Sequence, residues 1–453
     1  MTTTQDFGDT SGPGPILAPP RGDFRKTAWG VIWLLTLTIL AAGTVGGLFS
    51  PLQEAAKLDL GLTDIQIGLV QGLAVGLPIA ILSLPLAYMV DHGKRTRLLI
   101  ILATVWSLGT IATAFVTGFA TLFAVRMVAG LGGACVFPVI VSLLADVTMP
   151  ERRGRAMVLV SIGAWGGAAA AFAVGGTLYG FLDKHLEAAI WGLAPWRQTH
   201  LLVGLGSALL VLPLLILREP SRHEVEQVNA PFMPTVRALS KRSGFLIPLF
   251  VGQFSGAMAE GAAAIWASSV LIRQYHQTPG QFGGWMGLVI LGAGIVGSLI
   301  GGFAADAGHK LKIRGGILLA AVVATALTVP AGLYSVMPTV QGFAWVLFAL
   351  LLGGTIVNLS ASAAIAVLVP NEERAVCLAM FKITGTVVGL GLAPPLIGWM
   401  SHRMTGPSGL GQALAIVGVV TGLVSLAAFW LAMANAPLEI AADASPEARP
   451  SAA

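Results

Sequence analysis

Two ionisable side chains stand well inside long apolar runs of this chain, and chemistry is sought there first. Glu260 lies about halfway along one run, in Ala257-Met258-Ala259-Glu260-Gly261, and Arg126 lies near the start of another. A charge in the middle of a hydrocarbon layer costs roughly 2.5–3.5 kcal/mol or more, so an ionisable group there is a functional candidate by default. A carboxyl in low dielectric resists ionisation and can gain and lose a proton near neutral pH. Glu260 is therefore read as a proton-coupling or substrate-binding group, against the alternative of an acid that stays protonated and bonds a neighbouring helix. The forked donors of Arg126 suit an anionic headgroup, or else they brace the helix. Lys382 also enters an apolar run but can snorkel back towards its end.

Neutral polar groups supply further candidates. Gln71, Gln253 and Asn358 lie at the same depth, and Trp165 and Trp266 could wall a cavity beside them. A pocket is mostly apolar with a few placed polar groups, although interhelical hydrogen bonding explains such residues equally well. His185 and His200 are expected to be solvated. His223 and Glu226 lack the second histidine of a zincin, so no metal site is expected. The glycine-rich runs carry no P-loop lysine, which removes primary ATP-driven pumping, and no cofactor is expected. Cys135 and Cys377 both lie in or beside apolar stretches and imply no disulfide framework.

These residues need helices to hold them. The chain has 453 residues, of which 55% are hydrophobic and 10% charged, with a mean hydropathy of +0.82. A soluble domain carries about 25% charged residues, so a water-exposed surface could not be covered. A spanning helix needs about 20 apolar residues. Twelve such segments are predicted, near 27–49, 65–90, 97–116, 120–145, 156–181, 198–217, 245–271, 282–305, 313–335, 341–369, 375–400 and 410–433. The class is an all-α membrane protein. The polar residues 1–26 read as a retained tail rather than a signal peptide.

Lys and Arg are retained on the cytoplasmic side. With the N-terminus inside, 20 of the 26 basic residues fall in cytoplasmic segments and five fall outside. Both termini are thus expected in the cytoplasm, and the net charge of +5 reflects topology rather than a nucleic-acid partner. The organisation follows as a tail (1–26), a six-helix half (27–217), a cytoplasmic linker (218–244), a second six-helix half (245–433) and a tail (434–453).

An internal repeat supports the division. A shift of 215 places Thr63 on Thr278, Gln66 on Gln281, Gly68 on Gly283, Asp91 on Asp306, Gly93 on Gly308 and Arg95 on Lys310. Parallel six-helix repeats build a midplane site between halves in one large transporter class. The turns Asp91-His92-Gly93-Lys94-Arg95 and Asp306-Ala307-Gly308-His309-Lys310 are read as a cytoplasmic gate, in which glycine permits the reversal and the carboxylate holds basic groups or a helix N-terminus. The bland alternative is topology-fixing charge. Small residues recur every four positions at Gly68, Gly72, Gly76 and Ala80, at Gly163, Gly167, Ala171 and Gly175, and at Gly385 and Gly389, where helices can pack closely or slide.

Arg126 with Gly130, Gly132 and Ala134 resembles the fourth-helix motif of the major facilitator superfamily, and the two turns resemble its loop motif. Within it, the chain is most similar to bacterial Spinster-like members. The carrying segments are Leu62 to Leu69, Pro150-Glu151-Arg152-Arg153, Ser161-Ile162-Gly163, Trp196-Arg197 with Leu217-Arg218-Glu219-Pro220, and Trp266 through Arg273. The resemblance implies proton-coupled transport of lysophospholipid or sphingoid-type lipids. It departs at Ala41-Ala42, where that group carries an Asp-Arg pair, and at Gly133, where it carries Glu.

The resulting expectation is a monomeric secondary transporter in the bacterial inner membrane, alternating access between its halves. Its substrate is an amphiphilic or lipid-like organic molecule, and protons are the candidate coupling ion. The rival readings are a carrier of a small organic anion with Arg126 as counter-ion, and a non-transporting receptor on the same fold. No nucleophile–base pair argues for an enzyme.

Overall fold

The computed structural model describes residues 27–185, 190–222, 232–311, 313–404, 406 and 408–437. The expectations on residues 1–26, on His223 and Glu226, and on residues 438–453 of the C-terminal tail lie outside them. Every regular element among the described residues is helical. Among the described residues, twelve helical spans are long and apolar enough to cross a membrane. They are α1 (Trp29–Leu60), α2 (Asp64–Leu82), α3 (Arg95–Thr113), α4 (Phe119–Val147), α5 (Pro150–Lys184), α6 (Pro195–Leu215), α7 (Ser243–Tyr275), α8 (Pro279–Lys310), α9 (Gly316–Val336), α10 (Val340–Leu368), α11 (Asn371–Arg403) and α12 (Gly409–Ala434). The α2 helix itself continues to His92. A short amphipathic helix, Phe232–Ser240, lies in the linker.

The repeated Thr and Gln have a local cause. Thr63 accepts from the Gln66 amide at 3.3 Å while the Gln66 side chain accepts from the Thr63 amide at 2.9 Å. Thr278 and Gln281 form the same reciprocal cap on α8. Each box satisfies orphan amides at a helix start, so the repeat marks corresponding helix beginnings in the two halves. Before α2, the chain turns at Gly61, whose φ of +63° favours glycine.

The first span runs on past residue 49, where the apolar run ends, to Leu60. Its continuation carries Gln53 and Glu54 into the buried interior. Leu48, with helical φ −56° and ψ −33°, joins Trp29–Gly47 to Phe49–Leu60. In α11 the segment Gly385–Leu392 is π-helical, a local widening frequent at functional positions.

Ala28 donates to the Val147 carbonyl at 3.2 Å, and Arg314 donates to that of Ala436 at 2.8 Å. With twelve spans between them, both described chain ends lie at one end of the bundle, called the near end. The packing differs between ends. At the far end a single apolar core draws on both halves, with Phe49, Leu52, Phe172 and Trp196 packed among Trp266, Leu271, Phe282 and Ile397. At the near end each half keeps its own core, one around Leu35, Trp106 and Leu143, the other around Leu249, Leu318 and Phe381.

The halves meet most extensively where α5 packs on α8 and α2 on α11, and the end of α1 also meets α7. A Cβ on Gly176 would lie 2.4 Å from the Pro279 carbonyl and 3.0 Å from Cα of Gly283. A Cβ on Gly68 would lie 2.5 Å from the Pro394 carbonyl. Glycine is required at both because backbones meet there. The Gly68 stripe thus faces the other half, whereas Gly163 and Gly167 pack on α1 within their own half.

Candidate functional site: the polar seam and the Glu260 cavity

The far end of the seam holds a compact ion network. Arg273 of α7 donates to both Glu54 oxygens, at 3.0 and 2.7 Å, and to both Asp64 oxygens, at 2.8 and 2.7 Å. Lys57 donates to Asp64 at 2.6 Å, and Ser401 of α11 donates to it at 3.0 Å. Such bidentate, charge-assisted bonds are the stronger kind. They tie α1 and α2 of one half to α7 and α11 of the other.

A second polar layer lies beneath it. Gln53 donates to the Ile265 carbonyl at 2.7 Å and to Ser269 Oγ at 2.8 Å, and Ser268 donates to the Ser50 carbonyl at 2.6 Å. Gln71 donates to Ser50 Oγ and to Gln53 Oε1, each at 3.0 Å. Arg126, 3% exposed, donates from Nη2 to the Gly46 carbonyl and to the side-chain Oε1 of Gln71, each at 3.3 Å, while its Nε is unpartnered among the described residues. Its guanidinium also sits 5.3 Å from the Phe49 ring centroid, a favourable stacking geometry. Arg126 and Gln71 are therefore members of an internal chain that reaches α7, rather than open cavity walls. His200 is likewise buried, against Phe49 and Trp196, with Nδ1 on the Trp196 carbonyl at 2.8 Å; it is not the solvated residue expected, because the shared core covers it.

Glu260 lies elsewhere. It points away from the seam into a cavity of about 20 Å³ enclosed by α7, α9, α10 and α12, lined by Thr325, Thr328, Gly354, Val357, Gly422 and Ser425 among others. Its carboxylate presses on Gly354, where a Cβ would lie 1.7 Å from Oε1. One turn along the same face of α10, Asn358 accepts from the exposed Lys382 Nζ at 2.7 Å. The two ionisable candidates thus occupy different halves.

The remaining wall candidates divide. Trp165 is half-buried and meets Gly294 of α8 across the seam. Gln253 is buried beside Gly385, at the start of the π-helical segment, with its amide oxygen unpartnered. Trp266 is 0% exposed and donates to the Pro394 carbonyl at 3.2 Å. It fills the core instead of lining a cavity, because the halves close over it.

The near-end turns also differ from expectation. Gly93 has φ −93° and ψ −179°, an extended conformation any residue adopts, and Gly308 is helical inside α8. Glycine 308 serves close approach instead, since a Cβ would lie 2.3 Å from the Gly316 carbonyl. The reversal falls later, at Gly315, with φ +62°. Asp91, Lys94, Asp306 and Lys310 are exposed. Arg95 is the buried node, bonded to Asp146, to Glu219 at 3.0 Å and to Ser142. Asp91 contributes only its backbone carbonyl, to Arg222, which also bonds those of Val90 and Gly93 at 2.9 and 2.7 Å. Partial burial opposes ionisation of Glu219, but bonds from the Thr96 hydroxyl and amide and from Arg95 outweigh it and hold the carboxyl below the ordinary carboxylate range.

Glu54, Asp64, Arg273 and Gln53 escaped sequence reasoning as a site. A signal existed: Trp266, Ser269 and Arg273 repeat at helical spacing on one face of α7. The partners lie more than 200 positions away, and only folding joins them.

Residues 34–383 match the Major Facilitator Superfamily. An MFS-type efflux pump of Mycolicibacterium smegmatis is 26% identical over 426 residues, covering 92% of this chain and 96% of that protein. The 3-(3-hydroxy-phenyl)propionate transporter of Escherichia coli is 26% identical over 261 residues, covering 57% of this chain and 58% of its own. Among solved structures, a bacterial homolog of the human lysosomal transporter Spinster, inward-facing and unoccupied, superposes with a TM-score of 0.77 at 19% identity, over 91% of this chain and 98% of that one. The nucleoside transporter NupG superposes with a TM-score of 0.67 at 14% identity, over 88% and 98%. Twelve spans in two packed halves, a shared core at one end and the sequence match lead to one conclusion: this chain belongs to the Major Facilitator Superfamily, a multi-pass membrane carrier rather than an enzyme, with a Spinster-like fold.

Proposed function

We propose that the protein moves an amphiphilic or lipid-like organic substrate by alternating access, with the conformation described here closed at the far end and accessible from the near end. The observation that carries this reading is the packing asymmetry: one core and two polar layers unite the halves at the far end, while separate cores serve them at the near end. Transport requires the reverse arrangement as well, so the Arg273–Glu54–Asp64 network acts as the far-end latch. The basic bias places the near end, with both termini, in the cytoplasm of a bacterial inner membrane. Glu260 is the coupling carboxyl, with protons as the first candidate ion. A monomer suffices, since both halves are in one chain.

A small organic anion is the second reading, favoured by the aromatic-acid carrier among the relatives. Arg126 holds Gly46 and Gln71 through Nη2 and keeps a buried Nε unpartnered among the described residues, a donor such an anion could use. A thermal-shift screen of the purified protein separates the two. Stabilisation that grows with acyl length across lysophospholipids and sphingoid bases supports the lipid-like reading; stabilisation by short anions alone rejects it.

A further inference from the structure

The cavity beside Glu260 has an unusual donor balance. Three hydroxyl residues line it, and each has spent its hydrogen on a helix carbonyl: Thr325 on Ala321 at 2.7 Å, Thr328 on Thr325 at 2.9 Å and Ser425 on Gly252 at 2.8 Å. Their oxygens can therefore only accept from whatever occupies the cavity. The fourth polar group is the Glu260 carboxylate, and the other lining residues are Gly, Ala, Leu and Val. An ionised carboxylate away from water needs a counter-charge or a metal. Lys382 of α11 is a charged neighbour whose field reaches it, but its ammonium stands outside the cavity lining, on Asn358. Among the described residues, the cavity-lining stretches of α9, α10 and α12 bring no titratable group to this cavity.

We propose that this cavity is a binding site for a sodium ion. The charge matches, because one carboxylate with neutral oxygens balances a monovalent ion. The size matches, because about 20 Å³ exceeds the roughly 10–15 Å³ needed by one water-sized occupant and leaves no room for a hydrated ion. The chemistry matches, because hard cations take oxygen ligands. Gly354 belongs to the site: it lets α10 approach the carboxylate, and any side chain there would displace it. The inference rests on Glu260 as the coupling carboxyl and names the ion that pocket accepts.

The test uses the full chain in detergent at fixed pH and ionic strength, with sodium chloride set against potassium and choline chlorides. Melting temperature and retention of radioactive sodium are read together. Saturable sodium-specific stabilisation and retention are expected in the native protein, lost in Glu260→Gln. Thr328→Val is expected to weaken sodium binding roughly tenfold, and Thr328→Ser to restore it, which separates ligand loss from misfolding. Equal responses to sodium and potassium, or full sodium binding by Glu260→Gln, would overturn the site. Flux driven by a pH gradient, measured in parallel, tells the two readings apart. If it persists without any sodium response, the sodium site fails and the carrier reading stands; if sodium binds but no gradient moves any substrate, the carrier reading fails alone.

Discussion

Glu260 and Arg126 are similar on paper and opposite in place. Arg126 is buried and bonded through Nη2 to Gly46 and Gln71, so Arg126→Met is expected to lower the melting temperature and to cut transport at least tenfold through lost seam geometry; Arg126→Lys should recover stability only in part, since one ammonium cannot reproduce the planar guanidinium on Phe49. Glu260→Gln keeps shape and removes charge, so on the reading that Glu260 couples transport it should abolish flux driven by a proton or a sodium gradient while leaving exchange or substrate binding largely intact. Flux under each gradient in proteoliposomes checks this, and an unaltered rate would remove Glu260 from the coupling step. Glu219 gives a pH prediction outside the membrane. Its carboxyl is held below the ordinary range in the fold, so its contribution is fully present above the unfolded value of about 4.3 and is lost as pH falls through the folded one. The native protein should therefore lose melting temperature on acidification more steeply than Glu219→Gln, a difference that a melting series from neutral to acid pH reads directly.

At the scale of elements, apolar length and caps made the helices legible, while the use made of each helix was not. The run that ends at residue 49 hides a helix that continues to Leu60, because Gln, Glu and Lys are good helix formers once a partner surface covers them. Gly68 was visible as part of a stripe, but which helix it met was not, since α2 has several neighbours. Its Cβ would collide with the Pro394 backbone, so Gly68→Leu is expected to pry α2 from α11. Labelling of an introduced Ser269→Cys by a polar maleimide reports it, because Cys135 and Cys377 are both buried. A rise in labelling is expected, and an unchanged rate would show that the pair is not what closes the far end.

For the whole molecule, the question is which end opens. Arg273→Gln removes the cation that holds Glu54 and Asp64 together, a loss on the order of 1–3 kcal/mol. Since each 1.4 kcal/mol is about tenfold in an equilibrium constant, populations should shift towards the far-end-open state by a factor of several to a hundred. Distances between spin labels at the far ends of α1 and α7 are expected to lengthen in this variant, whereas Arg95→Gln, whose partners lie in its own half and linker, should leave them unchanged. Lengthening in neither would deny the latch its role.

The sequence alone determined that the chain spans a membrane twelve times, that it is two related halves, and that Glu260 and Arg126 are costly residues to keep; composition, periodicity and repeat are properties of local order, and each survives without knowing which helix touches which. The tertiary structure decided what those residues face. Glu260 looks into a cavity of four helices and not into the seam, Trp266 is core, Arg95 rather than Asp91 anchors the near-end turn, and Arg273 with Glu54 and Asp64 forms the ion network across the far end. A helix fixes the side of its axis on which a side chain stands, but not the neighbour there. That neighbour comes from packing between segments hundreds of residues apart, which no local pattern encodes.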